Sequence, residues 1–112
     1  MYTHTIDIAH PPMFSDDAEI FLDDTLRMIR SSSSLRVLKI IHGKGTEEHP
    51  ARLKEIVKNW AYRNHSRIRA VITGEEYDLF NADVQDLRSA CGQEVDSDLG
   101  AANAGITIIW IK

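Results

Sequence analysis

The first half of the chain alternates between apolar patterns typical of strands and patterns typical of helices. Residues 4–9 combine alternation with β-prone side chains, which predicts a first strand that ends before a Pro-Pro pair. Apolar residues then recur with helical spacing over 18–29, which predicts an amphipathic helix capped by Ser15 or Asp16. A continuous apolar run at 35–41 predicts a buried second strand.

A second amphipathic helix is predicted after that strand. Apolar side chains at 53–61 repeat at offsets of three and four residues. Pro50 suits the first helical turn, with His49 or Thr46 just before it. Trp60 falls on the apolar face, so the spacing favours a core position over a platform for stacking bases.

Three further elements complete the predicted order. A period-two pattern at 66–73 predicts a third strand, helical spacing over 80–91 predicts a third helix, and the apolar run 105–111 predicts a final strand. The order βαβαβ(α)β implies parallel early strands, joined by crossovers whose helices cover the sheet. The alternation in the third strand places Ile68, Ala70 and Ile72 on one side and Arg67, Arg69, Val71 and Thr73 on the other.

Length and composition indicate one soluble globular domain spanning residues 1–112. The chain is 43% hydrophobic and 27% charged. No apolar run approaches the ~20 residues of a membrane helix and no basic-then-apolar leader opens the chain, so a cytoplasmic protein without a membrane partner is expected. The single cysteine, Cys91, excludes an internal disulfide and fits a helical core face better than a catalytic role.

Charge is distributed unevenly along the chain. Residues 1–26 hold six acids and no Lys or Arg, whereas 27–73 hold eleven basic and three acidic residues. Residues 74–112 return to an acidic balance, with two basic and eight acidic residues. Although the net charge is −4, the basic middle third favours a polyanionic partner.

The most informative motif is His42-Gly43-Lys44-Gly45, in the predicted turn between the second strand and the second helix. Two glycines there allow positive φ and a close approach of the backbone to a ligand. Lys44 adds a positive charge, and histidine is the side chain whose proton moves most easily near neutral pH. The motif predicts a phosphate-binding turn, with a simple glycine turn and helix cap as the alternative.

Three motifs, in order, resemble the small MutS-related (Smr) domain family. They are Ile6-Asp7-Ile8, the complete His42-Gly43-Lys44-Gly45 and Ala104-Gly105-Ile106-Thr107, which are similar to the family forms Leu-Asp-Leu-His-Gly, His-Gly-Lys-Gly and Gly-Gly-x-Gly-Ala-Thr. The resemblance implies a two-layer α/β sandwich with a mixed four-stranded sheet, similar to the C-terminal domain of translation initiation factor three. It also implies nucleic-acid nicking or RNA endonuclease activity.

The resemblance and the charge pattern together give a set of candidate site residues. The candidate catalytic residues are Asp7, His10 and His42. The candidate nucleic-acid or phosphate contacts are His42, Gly43, Lys44, Gly45, Arg67, Arg69, Gly105 and Thr107. No metal site or cofactor is predicted, because the scattered acids form no recognisable metal constellation.

The chain departs from the family pattern at two of the motifs. Ala9 stands where the first motif would carry histidine, with His10 one residue later, and Asn103-Ala104 replaces a double glycine. Since neighbouring side chains on a strand face opposite ways, His10 can replace a histidine at position 9 only if the strand has already ended.

Two functions of different classes follow from these observations. One is an endonuclease acting on RNA or DNA, and the other is a nucleic-acid-binding module that has lost the chemistry. A third alternative is a protein-binding domain, within a larger complex, that docks through its acidic segment 74–103.

Overall fold

The computed structural model describes residues 1–45 and 51–112, in which four strands form one mixed sheet. The strands are β1 (Thr3–Asp7), β2 (Val37–Ile41), β3 (Ile68–Thr73) and β4 (Ile106–Ile111). β1 pairs in parallel with β2, and β4 lies antiparallel between β2 and β3, which gives the order β1-β2-β4-β3. The predicted mixed four-stranded sheet is therefore confirmed.

Three helices pack against this sheet. They are α1 (Ser15–Ser31), α2 (Arg52–Arg63) and α3 (Ala82–Cys91), with short 3-10 turns at His65–Arg67 and Gly74–Glu76. α1 and α2 contact each other and cover one face, as expected of an α/β sandwich. α3 packs on the opposite face beside β3.

The core under α1 and α2 is apolar and includes the predicted helix faces. Trp60 is 1% exposed, and its indole Nε1 donates a hydrogen bond to Asp23 Oδ1 at 2.8 Å. This satisfies the polar end of a ring that is otherwise buried in apolar surroundings. Trp60 is therefore a core residue, as its helical spacing predicted. The other large, fully buried side chains of this core are Ile8, Leu22, Ile29, Leu38, Ile40, Val57, Ile109 and Ile111.

The core on the α3 side contains a buried cation. Lys39 Nζ donates to Asp96 at 2.6 Å and to Asp98 at 2.8 Å, and the Tyr77 hydroxyl donates to Asp96 at 2.9 Å. Although burial alone would raise the pKa of Asp96, the bonds from Lys39 and Tyr77 hold it below its ordinary value. The pair thus remains charged and anchors the segment after α3 to the sheet. Cys91, on the same side, is partly buried, and this burial raises the pKa of its thiol.

The predicted alternation of β3 holds from Ala70 to Thr73 but is wrong at the start of the strand, because the strand contains a bulge there. The register shifts between Ile68 and Ala70, so that one extra residue lies opposite β4. As a result Ile68 packs under α1 and α2, whereas Ile72 packs on the α3 side. The guanidinium of Arg69 lies over Trp110, 5.6 Å from the ring centroid.

The predicted cap of α1 is also wrong. Ser15 is the first helical residue, and Phe14, which precedes it, makes no capping side-chain bond. The Ser15 hydroxyl instead accepts from Arg52 at 2.9 Å, which joins the starts of α1 and α2. The predicted cap of α2 at Thr46 or His49, and Pro50 in its first turn, lie outside the described residues. Within the described ranges, no helix is long and apolar enough to cross a membrane.

Removing the Trp60 side chain should strongly destabilise the fold. We expect Trp60→Ala to lower the free energy of unfolding by about 3 to 5 kcal/mol, because it leaves a large cavity in the core. Chemical denaturation measures this loss. Tyr62→Ala is the matched control, since Tyr62 lies on the same helix but is 78% exposed, and it should change stability little. Equal, small effects of both substitutions would contradict the core assignment.

Candidate functional site

The sheet topology brings the three predicted motif regions together at one end of the strands. β1, β2 and β3 all end there, and β4 begins there, because Asp7 pairs with Ile41, Ile41 with Ile106 and Thr73 with Thr107. Residues that follow β1 and β2 therefore lie beside the residues that open β4. This places the candidate groups at 7–10, 42–45 and 105–107 in one neighbourhood.

The turn after β2 is held by main-chain bonds to β4. The amides of His42 and Gly43 both donate to the carbonyl of Gly105, at 2.9 and 3.1 Å. Gly43 and Gly45 have φ of +75° and +70°, a conformation that favours glycine. Lys44 is exposed between them. The turn thus presents a cation next to backbone that a ligand can approach closely.

His42 is buried beneath this turn. It is 3% exposed, its Nδ1 lies 2.7 Å from the carbonyl of Gly43, and its Nε2 lies 2.8 Å from Thr107 Oγ1. Because a carbonyl can only accept, Nδ1 carries the proton and Nε2 accepts from the Thr107 hydroxyl. Burial lowers the pKa of His42, although the bond to Gly43 opposes this, and the charge of Lys54 lowers it further. His42 is therefore neutral at neutral pH and joins the turn to β4.

His10 and Asp7 form a second pair, close to the turn. β1 ends at Asp7, so His10 is free of the strand alternation and its Nδ1 lies 3.0 Å from Asp7 Oδ2. Asp7 also accepts from the amides of Ala9 and His10, at 2.8 and 3.1 Å. Although its slight burial would raise the pKa of Asp7, the bonds from Ala9 and His10 lower it. The carboxylate thus orients an imidazole that is 70% exposed, with Nε2 facing away from it.

Ala9 connects the two parts of the site. It is 9% exposed, and a Cβ placed on Gly43 would lie 3.7 Å from its own Cβ. The side chain at position 9 is therefore directed at the glycine turn. A histidine there would be directed at the turn, whereas His10 lies in the loop that follows and contacts Asp7.

Asn103, where the sequence departs from a double glycine, orders the start of β4. Its Oδ1 accepts from the amide of Gly105 at 2.9 Å, and its Nδ2 lies 3.4 Å from Asp98. A Cβ on Gly74 would lie 1.9 Å from the Asn103 carbonyl, so position 74 must be glycine for this segment to pack. Neither role is visible in the sequence, because both depend on contacts between distant segments.

Lys54, on α2, is a further charged group near the site, and the sequence motifs did not indicate it. Its Nζ donates to Glu75 Oε1 at 3.0 Å and lies 3.3 Å from the Ala104 carbonyl, so it sits beside the start of β4. It also lines a groove of about 760 Å³ between α2 and β3, which reaches Thr107. The spacing of four between Lys54, Lys58 and Tyr62 was the signal that could have indicated a shared surface.

Arg67 and Arg69 do not lie at the end of the sheet that carries the glycine turn. They flank Ile68, which pairs with Ile111 at the far end of β4. Arg67 contacts Asn64 at 3.3 Å, and Arg69 stacks on Trp110. The structure therefore separates these two predicted phosphate contacts from the glycine turn.

Across residues 1–45 and 51–112, no group of three or more His, Cys, Asp or Glu side chains is placed to hold a metal ion.

Comparisons with known proteins agree with the resemblance seen in the motifs. The family model described as Smr domain matches residues 12–112. Among solved structures, the Smr domain of Thermus thermophilus MutS2 is similar in fold, with a TM-score of 0.54, 16% sequence identity, and coverage of 100% of this chain and 99% of that chain. No curated protein matches this chain.

The buried neutral state of His42 should make stability depend on pH. Its pKa in the fold lies below the ordinary value of 6.5, so the unfolded chain binds a proton more readily than the folded one. Stability is then fully present above a pH of about 6.5 and falls as the pH drops toward the folded pKa. We expect His42→Gln to remove this part of the pH dependence, as measured by denaturation at several pH values.

His4→Gln is the matched control, because His4 lies in β1, within the same sheet but outside the turn. It should leave the decline in stability in place. A decline that is unchanged in His42→Gln would show that His42 is not held neutral by burial.

Proposed function

We propose that this chain, which belongs to the Smr domain family, binds nucleic acid at the end of the sheet that carries the glycine turn. It then cleaves the phosphodiester backbone of the nucleic acid, with His10 as the proton-transfer group. The family is generally nucleic-acid binding. The proposal of cleavage is carried by one observation, the pairing of the exposed His10 with Asp7 at 3.0 Å.

The glycine turn supports binding of a phosphate. Lys44 is exposed at its tip, between two residues that lack side chains and so leave the backbone accessible. A cation beside accessible main chain is suited to a phosphodiester, because it offsets the negative charge of the ground state and the further charge that develops in the transition state. Main-chain bonds to Gly105 keep this geometry fixed before a ligand arrives.

The His10–Asp7 pair supports proton transfer. Asp7 fixes Nδ1 of the ring, and Nε2 faces away from the carboxylate as the atom that exchanges a proton with substrate. Asp7 stays ionised at neutral pH, since its pKa is lowered, and so stabilises the imidazolium that forms. An exposed, oriented imidazole beside a phosphate-binding turn is the arrangement that general acid–base cleavage needs.

On RNA, the nucleophile is supplied by the substrate. Nε2 of His10 takes the proton of a 2′-hydroxyl, whose oxygen attacks the adjacent phosphorus while Lys44 offsets the added negative charge. The bond from phosphorus to the 5′-oxygen breaks, and this oxygen takes a proton from a solvent water as it leaves, while His10 returns its proton to the solvent. The products are a 2′,3′-cyclic phosphate and a 5′-hydroxyl. His42 takes no part in proton transfer here, because both of its ring nitrogens are engaged beneath the turn.

A second candidate function is binding without cleavage. It is favoured by Ala9, because the side chain directed at Gly43 is a methyl group that cannot move a proton. In that case the phosphate-binding turn would persist while the chemistry is absent. The two functions differ in a single measurable property, the cleavage of a bound oligonucleotide.

Removing His10 should abolish cleavage and leave binding intact. We expect His10→Ala to slow cleavage of a labelled single-stranded RNA by roughly 10² to 10⁴, the usual contribution of general acid–base catalysis. Its affinity for the same RNA should match that of the natural chain. Asp7→Asn should also slow cleavage, because it weakens the orientation of the ring.

His4→Ala serves as the control for loss of a histidine within β1, away from the loop that holds His10, and should cleave normally. The assay is run with RNA and with DNA of the same sequence, with and without a chelator. Normal cleavage by His10→Ala would contradict the assigned role. Binding without cleavage by the natural chain would favour the second candidate, and Ala9→His would then be expected to raise cleavage more than binding.

A further inference from the structure

The groove between α2 and β3 is a separate feature beside the candidate site. Its volume is about 760 Å³, within the range of small-molecule sites, and it is open along one side. Its floor is the edge strand β3, which pairs with β4 on one side only. At one end it reaches Thr107, whose hydroxyl bonds His42 beneath the glycine turn.

One stripe of α2 lines this groove with aromatic and basic side chains. Lys54, Lys58 and Tyr62 are each four residues apart and therefore share one face of the helix. Tyr62 is 78% exposed, and its ring lies 6.0 Å from that of His65 at a tilt of 39°. Val71, 45% exposed, provides an apolar floor nearby.

These side chains differ in chemistry along the groove. Lys54 provides positive charge near the turn, although it also forms an ion pair with Glu75. Lys58 adds a second positive charge one helical turn further along α2. Glu55 is the acidic side chain in the lining. Tyr62 and His65 then provide exposed ring faces at the far end. Arg69 also lines the groove, so basic side chains are present along its length. Basic side chains combined with exposed aromatic rings match the backbone and bases of a nucleotide chain.

We infer that this groove holds an unpaired base of single-stranded nucleic acid, stacked on Tyr62, while the adjoining phosphate occupies the glycine turn. The inference rests on the proposed function, since it takes the turn as the phosphate site. The substrate class is then single-stranded nucleic acid, because the faces of paired bases in a duplex are stacked on each other and cannot contact Tyr62.

Amide NMR of the natural chain tests the groove and the turn separately. A single-stranded tetranucleotide is titrated into labelled protein, and shifts are followed at Tyr62 and Val71 for the groove and at Gly43 and Gly105 for the turn. We expect both groups to shift. Shifts at the turn alone would overturn this inference and leave the proposed function standing. Shifts at the groove alone would support the groove and overturn the proposed phosphate site, and no shifts would overturn both.

Affinity measurements then test the stacking role of Tyr62. We expect Tyr62→Ala to weaken binding of a single-stranded oligonucleotide by roughly tenfold, as loss of one base–aromatic contact does. Tyr62→Phe should bind like the natural chain, because it keeps the ring. Binding of a duplex should be unchanged. Phe80→Ala, which removes another exposed aromatic side chain, should have no effect on either ligand. Unchanged single-strand affinity in Tyr62→Ala, or an equal loss for single strand and duplex, would overturn the inference.

Discussion

The candidate site depends on the main-chain pairing of β4 with both β2 and β3. This antiparallel insertion sets Ile106 beside Ile41 and Thr107 beside Thr73, so the start of β4 meets the ends of the parallel strands. The Gly105 carbonyl can then accept from the amides of the glycine turn, and Thr107 can donate to His42. Without β4 in this position, the turn would lose the contacts that define its shape.

The segment before β4 is held in place by buried charge. Lys39 pairs with Asp96 and Asp98, Asp98 contacts Asn103, and Asn103 bonds the amide of Gly105. This chain connects the α3 side of the sheet with the turn. Breaking one partner of a buried ion pair typically costs a few kcal/mol, because the other charge stays buried. Part of the acidic segment 74–103, the docking surface of the third alternative, therefore has an internal structural role.

Local patterns predicted most of the fold, because strand and helix periodicity were clear in the apolar residues. They could not reveal the bulge in β3, which depends on pairing with β4 and moves the Arg69 side chain onto Trp110. The three motif regions were predicted to share a site, and the structure brings them together. The roles of Asn103 and Lys54 could not be predicted, since each depends on tertiary contacts between distant segments. The exposure of His10 could not be predicted either, because it follows from the end of β1 at Asp7.

In the proposed function, the glycine turn contacts a phosphate through Lys44. The most direct measurement is the salt dependence of oligonucleotide binding by Lys44→Ala and by Arg27→Ala. Arg27 is a matched control, because it carries the same charge and is exposed near the end of α1, away from the turn. We expect Lys44→Ala to lower the slope of log affinity against log salt by about one, whereas Arg27→Ala should leave it unchanged. An unchanged slope in Lys44→Ala, or the same reduction in both variants, would contradict it.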